Sequence, residues 1–335
     1  MSCLEVLMEV RKFVSPVYLV GGSVRDTLLG EEAKDYDFAT PLTPDEVESF
    51  VRRAGKRPNL IGKRFGTVAF KVNGVLVEVT TFRTEVYNGS RKPEVTFTKN
   101  LTSDLARRDF TVNAMAMALP SRIIDPFNGQ KDLGVKLIKA VGNPTVRFRE
   151  DPLRLLRACG FASQLGFTVE SQTFSSMERN AHKVLEISRE RWVLEMDKIL
   201  LSNQATVGLE CMADTGLLKY VLPELAVQVS YDQNSPYHCL TLWKHTVKAV
   251  NLAPPDLNLR WALLLHDVGK PVARKVNKRG YSNYVHHQKI GAELVDKIAR
   301  YLRWPNERRE NVVDLVKNHL EENSPLREYD SKARF

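Results

Sequence analysis

At 335 residues, with 43% hydrophobic and 27% charged side chains, the chain holds apolar material for about two cores and lies far from disordered compositions. Its 49 Lys and Arg against 40 Asp and Glu leave a formal charge of +9, which favours a polyanion such as nucleic acid or nucleotide over an acidic protein surface. No apolar run approaches the ~18 residues needed to cross a bilayer, and Cys3, Cys159, Cys211 and Cys239 lack CxxC spacing. A zinc ribbon and a disulfide framework are thereby disfavoured; reduced thiols in a cytoplasmic protein with no membrane partner are expected.

In chain order, "VYLV" reads as a strand running into Gly21 and Gly22, and "SVRDTLL" as a helix closed by Gly30, with Ser23 and Asp26 placed as in a capping box. "YDFAT" is the next strand. "TPDEVESFVRRAG" then supplies Thr43 as N-cap, Pro44 at the first helical position, Glu46 at the third and Gly55 as terminator. "TVAFKV" and "VLVEVTTFR" flank Asn73-Gly74, the pairing that a type I′ hairpin turn demands. On the second of these strands Val75, Val77 and Val79 share one face, so Glu78 points to the other. The stretch from Arg83 to Asp104, rich in Gly, Asn and charge, predicts a mobile loop. Beyond about residue 140 the periodicity turns helical, as in "DPLRLLRACGFASQL" and "RERWVLEMDKILL", with seams at "VGNPTVRF" and "SYDQNSPYH".

Asp35 and Asp37, two apart on a strand, face one side at roughly 7 Å along the chain, given ~3.3 Å per residue. Two carboxylates aimed together repel unless a cation compensates, and hard oxygen donors suit Mg²⁺ shared with substrate phosphates. Glu78 completes a three-acid set if its strand lies beside "YDFAT", a set able to support two-metal phosphoryl transfer. Gly21 and Gly22 carry no Cβ, so helix-start N–H groups can approach a triphosphate, with Ser23 and Arg25 as further donors. In "EDPLR", Asp151 and Arg154 stand three apart at a helix start, one accepting and one donating. Cytosine and adenine both offer an amino donor beside a ring-nitrogen acceptor, so such a pair favours CTP and ATP. A mismatched base leaves a polar group unpaired, at about 1–3 kcal/mol. The same residues could instead be an N-cap and a solvated arginine face formed by Arg154 and Arg157.

"GGSVRDTLLG" followed by DxD, then "RRDFTVNAMA", "IDPFNGQKDL" and "EDPLRLLRA", resembles the class II tRNA nucleotidyltransferase and bacterial poly(A) polymerase family over at least residues 17–200. The resemblance implies an α+β chain: a polymerase-beta-like nucleotidyltransferase head with a mixed sheet, then an all-helical neck and body. It makes Asp35 and Asp37 the ligands of two Mg²⁺ ions, with Glu78 as third acid. Arg108 would touch the triphosphate, Asp109 and Asn113 would shape the sugar pocket, Asp151 and Arg154 would read the base, and Arg157 would add a nucleotide contact. The implied reaction is template-independent addition of CMP and AMP from CTP and ATP to the 3′ end of tRNA, with the loop after Arg83 helping the switch from C to A. Partial CC- or A-addition and poly(A) synthesis are the nearest alternatives. The family usually has an arginine where this chain has Gly160, a departure expected to alter triphosphate contact or the completion of additions.

His245, His266-Asp267, His287 and His319, with His286 adjoining, resemble the HD metal-dependent phosphohydrolase pattern. Imidazole with carboxylate suits a transition metal better than Mg²⁺. The helices could form an active metal site or only a tRNA-binding scaffold, and an HD phosphohydrolase with a nucleotide-sensing head is the alternative of another class. Asp314 is available as a last acid ahead of a charged tail. The expected division is 1–140 head, 141–205 neck with the base-reading motif, 206–238 body and 239–335 HD-like domain, with the oligomeric state left open.

Overall fold

The strands of the first unit, Met1–Asp151, are β1 (Tyr18–Val20), β2 (Tyr36–Thr40), β3 (Thr67–Val72), β4 (Val75–Thr81), β5 (Arg83–Val86), β6 (Glu94–Phe97), β7 (Ala116–Ala118), β8 (Arg122–Ile124) and β9 (Leu137–Ile138). Six of them form one mixed sheet in the order β3–β4–β2–β1–β7–β8, with β2 and β4 parallel. The computed structural model describes residues 2–33, 35–87, 94–235 and 239–334. Asn73 and Gly74 adopt φ of 50° and 85°, and Val72 pairs with Val75, so the tight turn between β3 and β4 forms as its residues require.

Alternation divides the labour of the sheet. Phe38, Val68, Phe70, Val77 and Val79 point into the main core, where they meet Val6, Leu7 and Val10 of α1 (Cys3–Arg11), Val24 of α2 (Gly22–Leu29), and Val47 and Val51 of α3 (Pro44–Arg53). Each such side chain contributes about 1.5–3 kcal/mol on full burial. The opposite face keeps only a small cluster around Val20, Ala39, Phe82, Leu105 and Ala116, leaving Asp37 and Glu78 free for chemistry.

Helix ends follow the sequence in α3, where Thr43 and Glu46 form a reciprocal capping box with Pro44 in the first turn. In α2 they do not: Gly21 is the N-cap, with φ 71° and ψ −138°, and Ser23 is already helical. Gly30 closes α2 in the left-handed conformation. β5 and β6 form a separate two-stranded ribbon, so the stretch read as a loop is partly ordered; its tip, 88–93, lies outside the described residues. The unit also holds α4 (Leu101–Ala106), α5 (Gly129–Gly134) and α6 (Pro144–Glu150).

The second unit, Pro152–Phe335, holds α7 (Leu153–Leu165), α8 (Ser171–Asn180), α9 (Arg189–Leu201), α10 (Ala205–Asp214), α11 (Leu218–Val221), α12 (Pro223–Ala226), α13 (Leu242–Leu252), α14 (Leu257–Leu265), α15 (Lys270–Ala273), α16 (His287–Tyr301), α17 (Asn306–Lys317) and α18 (Arg327–Ala333). A two-stranded ribbon, Lys275–Val276 with Ser282–Asn283, departs from the all-helical expectation. α7 packs on α9 and α10, α14 on α13 and α17, and α18 on α13. Cys159 and Cys211 are free thiols in the α7–α10 contact, their sulfurs 3.1 Å apart.

Candidate active site and metal centre

Asp37 on β2 and Glu78 on β4 are direct partners in the parallel register, so neighbouring strands present two carboxylates on one face. Asp35 precedes β2 and, with Asp37, Glu78, Tyr36, Val75 and Leu76, lines a cleft of about 390 Å³. Burial raises the Asp37 carboxyl above its ordinary value; Arg108 pulls it down and Asp35 pushes it up. Burial also raises Glu78, reinforced by Asp37 and Asp35. Among the described residues, the three acids are not gathered within 4.8 Å of one another. Like charges at low dielectric hold apart, and all-oxygen donors around one cleft fit hard divalent cations that would draw them together.

Ser23 braces this cleft. Its hydroxyl donates to the Asp35 carbonyl oxygen at 2.8 Å and accepts from the Asp37 N–H at 3.3 Å. The side chain expected to cap α2 and donate to a phosphate instead ties the acid-bearing segment to the helix start. Arg25 is likewise engaged within the unit, with Nη1 donating to Asn113 Oδ1 at 2.7 Å and Nε to Asp26 Oδ1 at 2.8 Å. Asn113 donates onward to Asp109 Oδ1 at 3.2 Å, which also accepts from the Phe110 N–H. Arg25, Asp109 and Asn113 are therefore linked in a buried chain.

Arg108 approaches Gly21 and acts on Asp37. A Cβ at Gly21 would stand 2.8 Å from Arg108 Nη1 and 4.0 Å from Asp37 Oδ2, so the glycine is what admits the guanidinium beside the acids. Burial lowers the Arg108 pKa, and Asp104, whose Oδ2 is 3.6 Å from Nη2, offsets part of that. Gly22, with a negative φ, would meet only Arg25 at 3.4 Å.

Asp151 ends α6 with extended backbone, and Pro152, in the right-handed helical region, leads into α7. An extended residue ahead of such a proline has the backbone of an N-cap, so this alternative stands beside the base-reading one. Arg154 is buried in the first turn of α7, and Arg157 stacks over Phe161 with 5.0 Å to the ring centre. Gly160, further along α7, would place a Cβ 3.5 Å from Glu195 Oε2.

The second unit gathers His245, His266, Asp267 and Asp330 so that one ligand atom of each lies within 4.8 Å of the others; Asp267, His287 and His319 form an overlapping group. All six residues are buried. Burial lowers the His266 imidazole, but Asp267 and Asp330 more than offset it and push it up to about 10. Burial opposes ionisation of Asp267, yet His266 and Lys270 hold it well below its ordinary value. Asp330 was not foreseen. The acid expected here, Asp314, instead accepts from Asn318 Nδ2 at 2.9 Å on the exposed side of α17. His286 is exposed at the start of α16 and belongs to neither group.

Three family descriptions match in tandem: Poly A polymerase head domain over 17–139, probable RNA and SrmB-binding site of polymerase A over 166–228, and HD domain over 237–334. The CCA-adding enzyme of Geobacillus thermodenitrificans is 39% identical over 275 residues, 82% of this chain and 64% of the relative. That of Geobacillus kaustophilus is 43% identical over 230 residues, 68% of this chain and 56% of the relative. The crystal structure of the Bacillus stearothermophilus CCA-adding enzyme in complex with CTP is 30% identical and superposes over 99% of this chain and 80% of that one, with a TM-score of 0.69. The chain belongs to the CCA-adding enzyme family. It spans between about half and two thirds of the length of the curated family members quoted. Within this family member, the placement of Asp35, Asp37 and Glu78 around one cleft agrees with the strand pattern read from the sequence. Ser23 does not cap α2 as expected, and Asp330 escaped because it sits in a charged C-terminal segment without apolar periodicity.

Proposed function

We propose that the chain transfers CMP and AMP from CTP and ATP to the 3′ end of tRNA, without a nucleic-acid template. The observation that carries this is the pairing of Asp37 with Glu78 across β2 and β4 in the cleft that Asp35 also lines, with Arg108 admitted alongside by Gly21. Bound divalent cations, of which Mg²⁺ suits the oxygen donors best, would supply charge neutralisation for the attacking 3′-oxygen and the departing pyrophosphate. Asp35, Asp37 and Glu78 would hold them, Ser23 would fix the spacing of the first two acids, and Arg108 would meet the triphosphate. The attack forms a P–O bond at the α-phosphate and breaks the bond to the β-phosphate. Base choice would rest on Asp151 and Arg154, with Arg157 as a further contact, a role supported by the family motif they stand in. The crystallised family member that binds CTP supports the nucleotide assignment. No helix among the described residues is long and apolar enough to cross a membrane. The finer division at 140/141, 205/206 and 238/239 accompanies this reading; its last boundary adjoins 236–238, outside the described residues.

The test is extension of tRNAs lacking the last one, two or three nucleotides, with each NTP supplied alone. C followed by A, abolished by Asp37→Ala, is the expected result. Extension by A alone on arbitrary RNA would replace the reading with poly(A) synthesis. A second activity, metal-dependent phosphohydrolysis, is favoured by the gathered His245, His266, Asp267 and Asp330; release of AMP from 2′,3′-cyclic AMP with Ni²⁺, lost in His266→Ala, is its assay.

A further inference from the structure

From 268 to 292 the chain has no acid, whereas Lys270, Arg274, Lys275, Lys278, Arg279 and Lys289 place six cations there, against a formal charge of +9 for the whole chain. Lys270 is turned inward, its Nζ 2.6 Å from Asp267 Oδ2. Lys275, Lys278 and Arg279 are exposed on the hairpin that Lys275–Val276 makes with Ser282–Asn283. Among the described residues none of these three has an ion-pair partner. Exposed cations elsewhere are matched: Lys12 pairs with Glu9, Arg52 with Glu48 and Arg300 with Asp296.

The hairpin is braced from within and from behind. The Asn277 N–H donates to the Tyr281 carbonyl oxygen at 2.8 Å, and Asn277 Oδ1 accepts from the N–H groups of Arg279 and Tyr281 at 2.9 and 3.1 Å. Two further bonds fasten it to the loop before α13: the Ser282 N–H donates to the Asn234 carbonyl oxygen and Asn234 Nδ2 to that of Gly280, each at 2.9 Å. Arg274 belongs to this framework, its Nε donating to Ser282 Oγ at 2.9 Å and its guanidinium 5.4 Å from the centre of the Tyr231 ring. The tip therefore presents Lys278, Arg279 and Tyr281, the last 43% exposed, on a fixed backbone that loses little freedom when a partner binds.

We propose that this hairpin grips the phosphate backbone of an RNA, with Lys275, Lys278 and Arg279 neutralising phosphates and Tyr281 stacking on a base that the RNA leaves exposed. Unpaired cations on a stiff ribbon complement a polyanion, and an exposed aromatic ring among them suits the face of a base. The region that matches the RNA-binding description ends at 228, and Asn234, which fastens the hairpin, follows it in the same unit. Naming the RNA as tRNA rests on the reading above; the grip on phosphates does not.

The test measures, by fluorescence anisotropy over a range of salt, how the full-length chain binds a labelled tRNA transcript lacking its last three nucleotides, with phosphatidylserine vesicles as a second polyanion. In Lys275→Ala/Lys278→Ala/Arg279→Ala the slope of log affinity against log salt should fall in magnitude by about 2–3, and Kd near 0.1 M salt should rise roughly tenfold or more. Lys12→Ala/Arg52→Ala/Arg300→Ala removes as many cations, all of them paired, and should leave the slope unchanged. Tyr281→Ala should weaken binding several-fold at an unchanged slope; an unchanged affinity there removes the stacking contact. A hairpin variant that matches the control triple, or that loses only the vesicles, overturns the proposal. Hairpin-dependent tRNA binding without any nucleotide extension would sink the transferase reading and leave the grip standing, and extension with no hairpin effect on binding would do the reverse.

Discussion

Gly21→Ala isolates the contact on which the head site turns. At φ 71° and ψ −138° the backbone lies close to a region that glycine alone occupies readily, and an alanine held there costs of order 1–3 kcal/mol. The new methyl would also stand 2.8 Å from Arg108 Nη1, the tip of a flexible side chain, so the guanidinium moves and the backbone strain remains. For a head of this size the strain lowers the melting temperature by roughly 2–10 °C. Displacing Arg108 removes a charge-assisted hydrogen bond of about 1.5–3 kcal/mol, or roughly ten- to a hundred-fold in kcat/KM for CTP. Scanning calorimetry and single-nucleotide extension read the two effects separately. Gly22→Ala is the control, because its φ is ordinary and its new methyl meets only Arg25 at 3.4 Å. If Gly21→Ala matched Gly22→Ala in both melting and kcat/KM, the argument that glycine admits Arg108 would be wrong.

Ser23→Ala removes the brace between Asp35 and Asp37, leaving the Asp37 N–H without this partner at about 1–3 kcal/mol; the Mg²⁺ concentration for half-maximal extension should rise several-fold, roughly in line with that cost, and an unchanged Mg²⁺ dependence would return Ser23 to an incidental role. Gly160 is buried in α7, where a Cβ would meet Glu195 Oε2 at 3.5 Å; in Gly160→Arg KM for CTP and ATP should fall, and unchanged KM values in a folded variant would show that the departure at this position has no bearing on nucleotide contact. Arg260 is 3% exposed and donates to the carbonyls of Ala253, Pro254, Leu200 and Ser202, so it closes the end of α9 from α14. Arg260→Lys cannot reproduce that fork and should cost about 3 kcal/mol, a loss of at least ~5 °C; a shift of under a degree would mean that water serves those carbonyls equally well.

What could be read in advance was what local chemistry dictates. Asn73-Gly74 names its own turn, Thr43-Pro44 with Glu46 names a helix start, and a period-two pattern sends Glu78 away from Val77 and Val79 whatever the rest of the chain does. The partnership of Asp37 with Glu78 was legible only as a condition, because parallel register is set by how β2 and β4 dock on a shared core. Ser23 was misplaced as a cap because serine competes for several local partners, and the positive-φ backbone of Gly21 had already started the helix two residues earlier. Asp330 could not be found by spacing: it reaches His245 only because α18 folds back on α13, a contact with no sequence period to announce it. The order in β5 and β6 was hidden for a similar reason, since a polar ribbon with exposed side chains looks like a loop.

The alternation that sends Phe38 and Val79 inward while Asp37 and Glu78 turn outward imposes a parity rule on this part of the chain. Deleting or inserting a single residue in β2 or β4 would trade acids for greasy side chains, spoiling stability and chemistry in one event. Changes of two residues keep the facing intact and merely slide one strand past its neighbour. Length variation tolerated in these strands should therefore come in even steps, with odd ones confined to the turns.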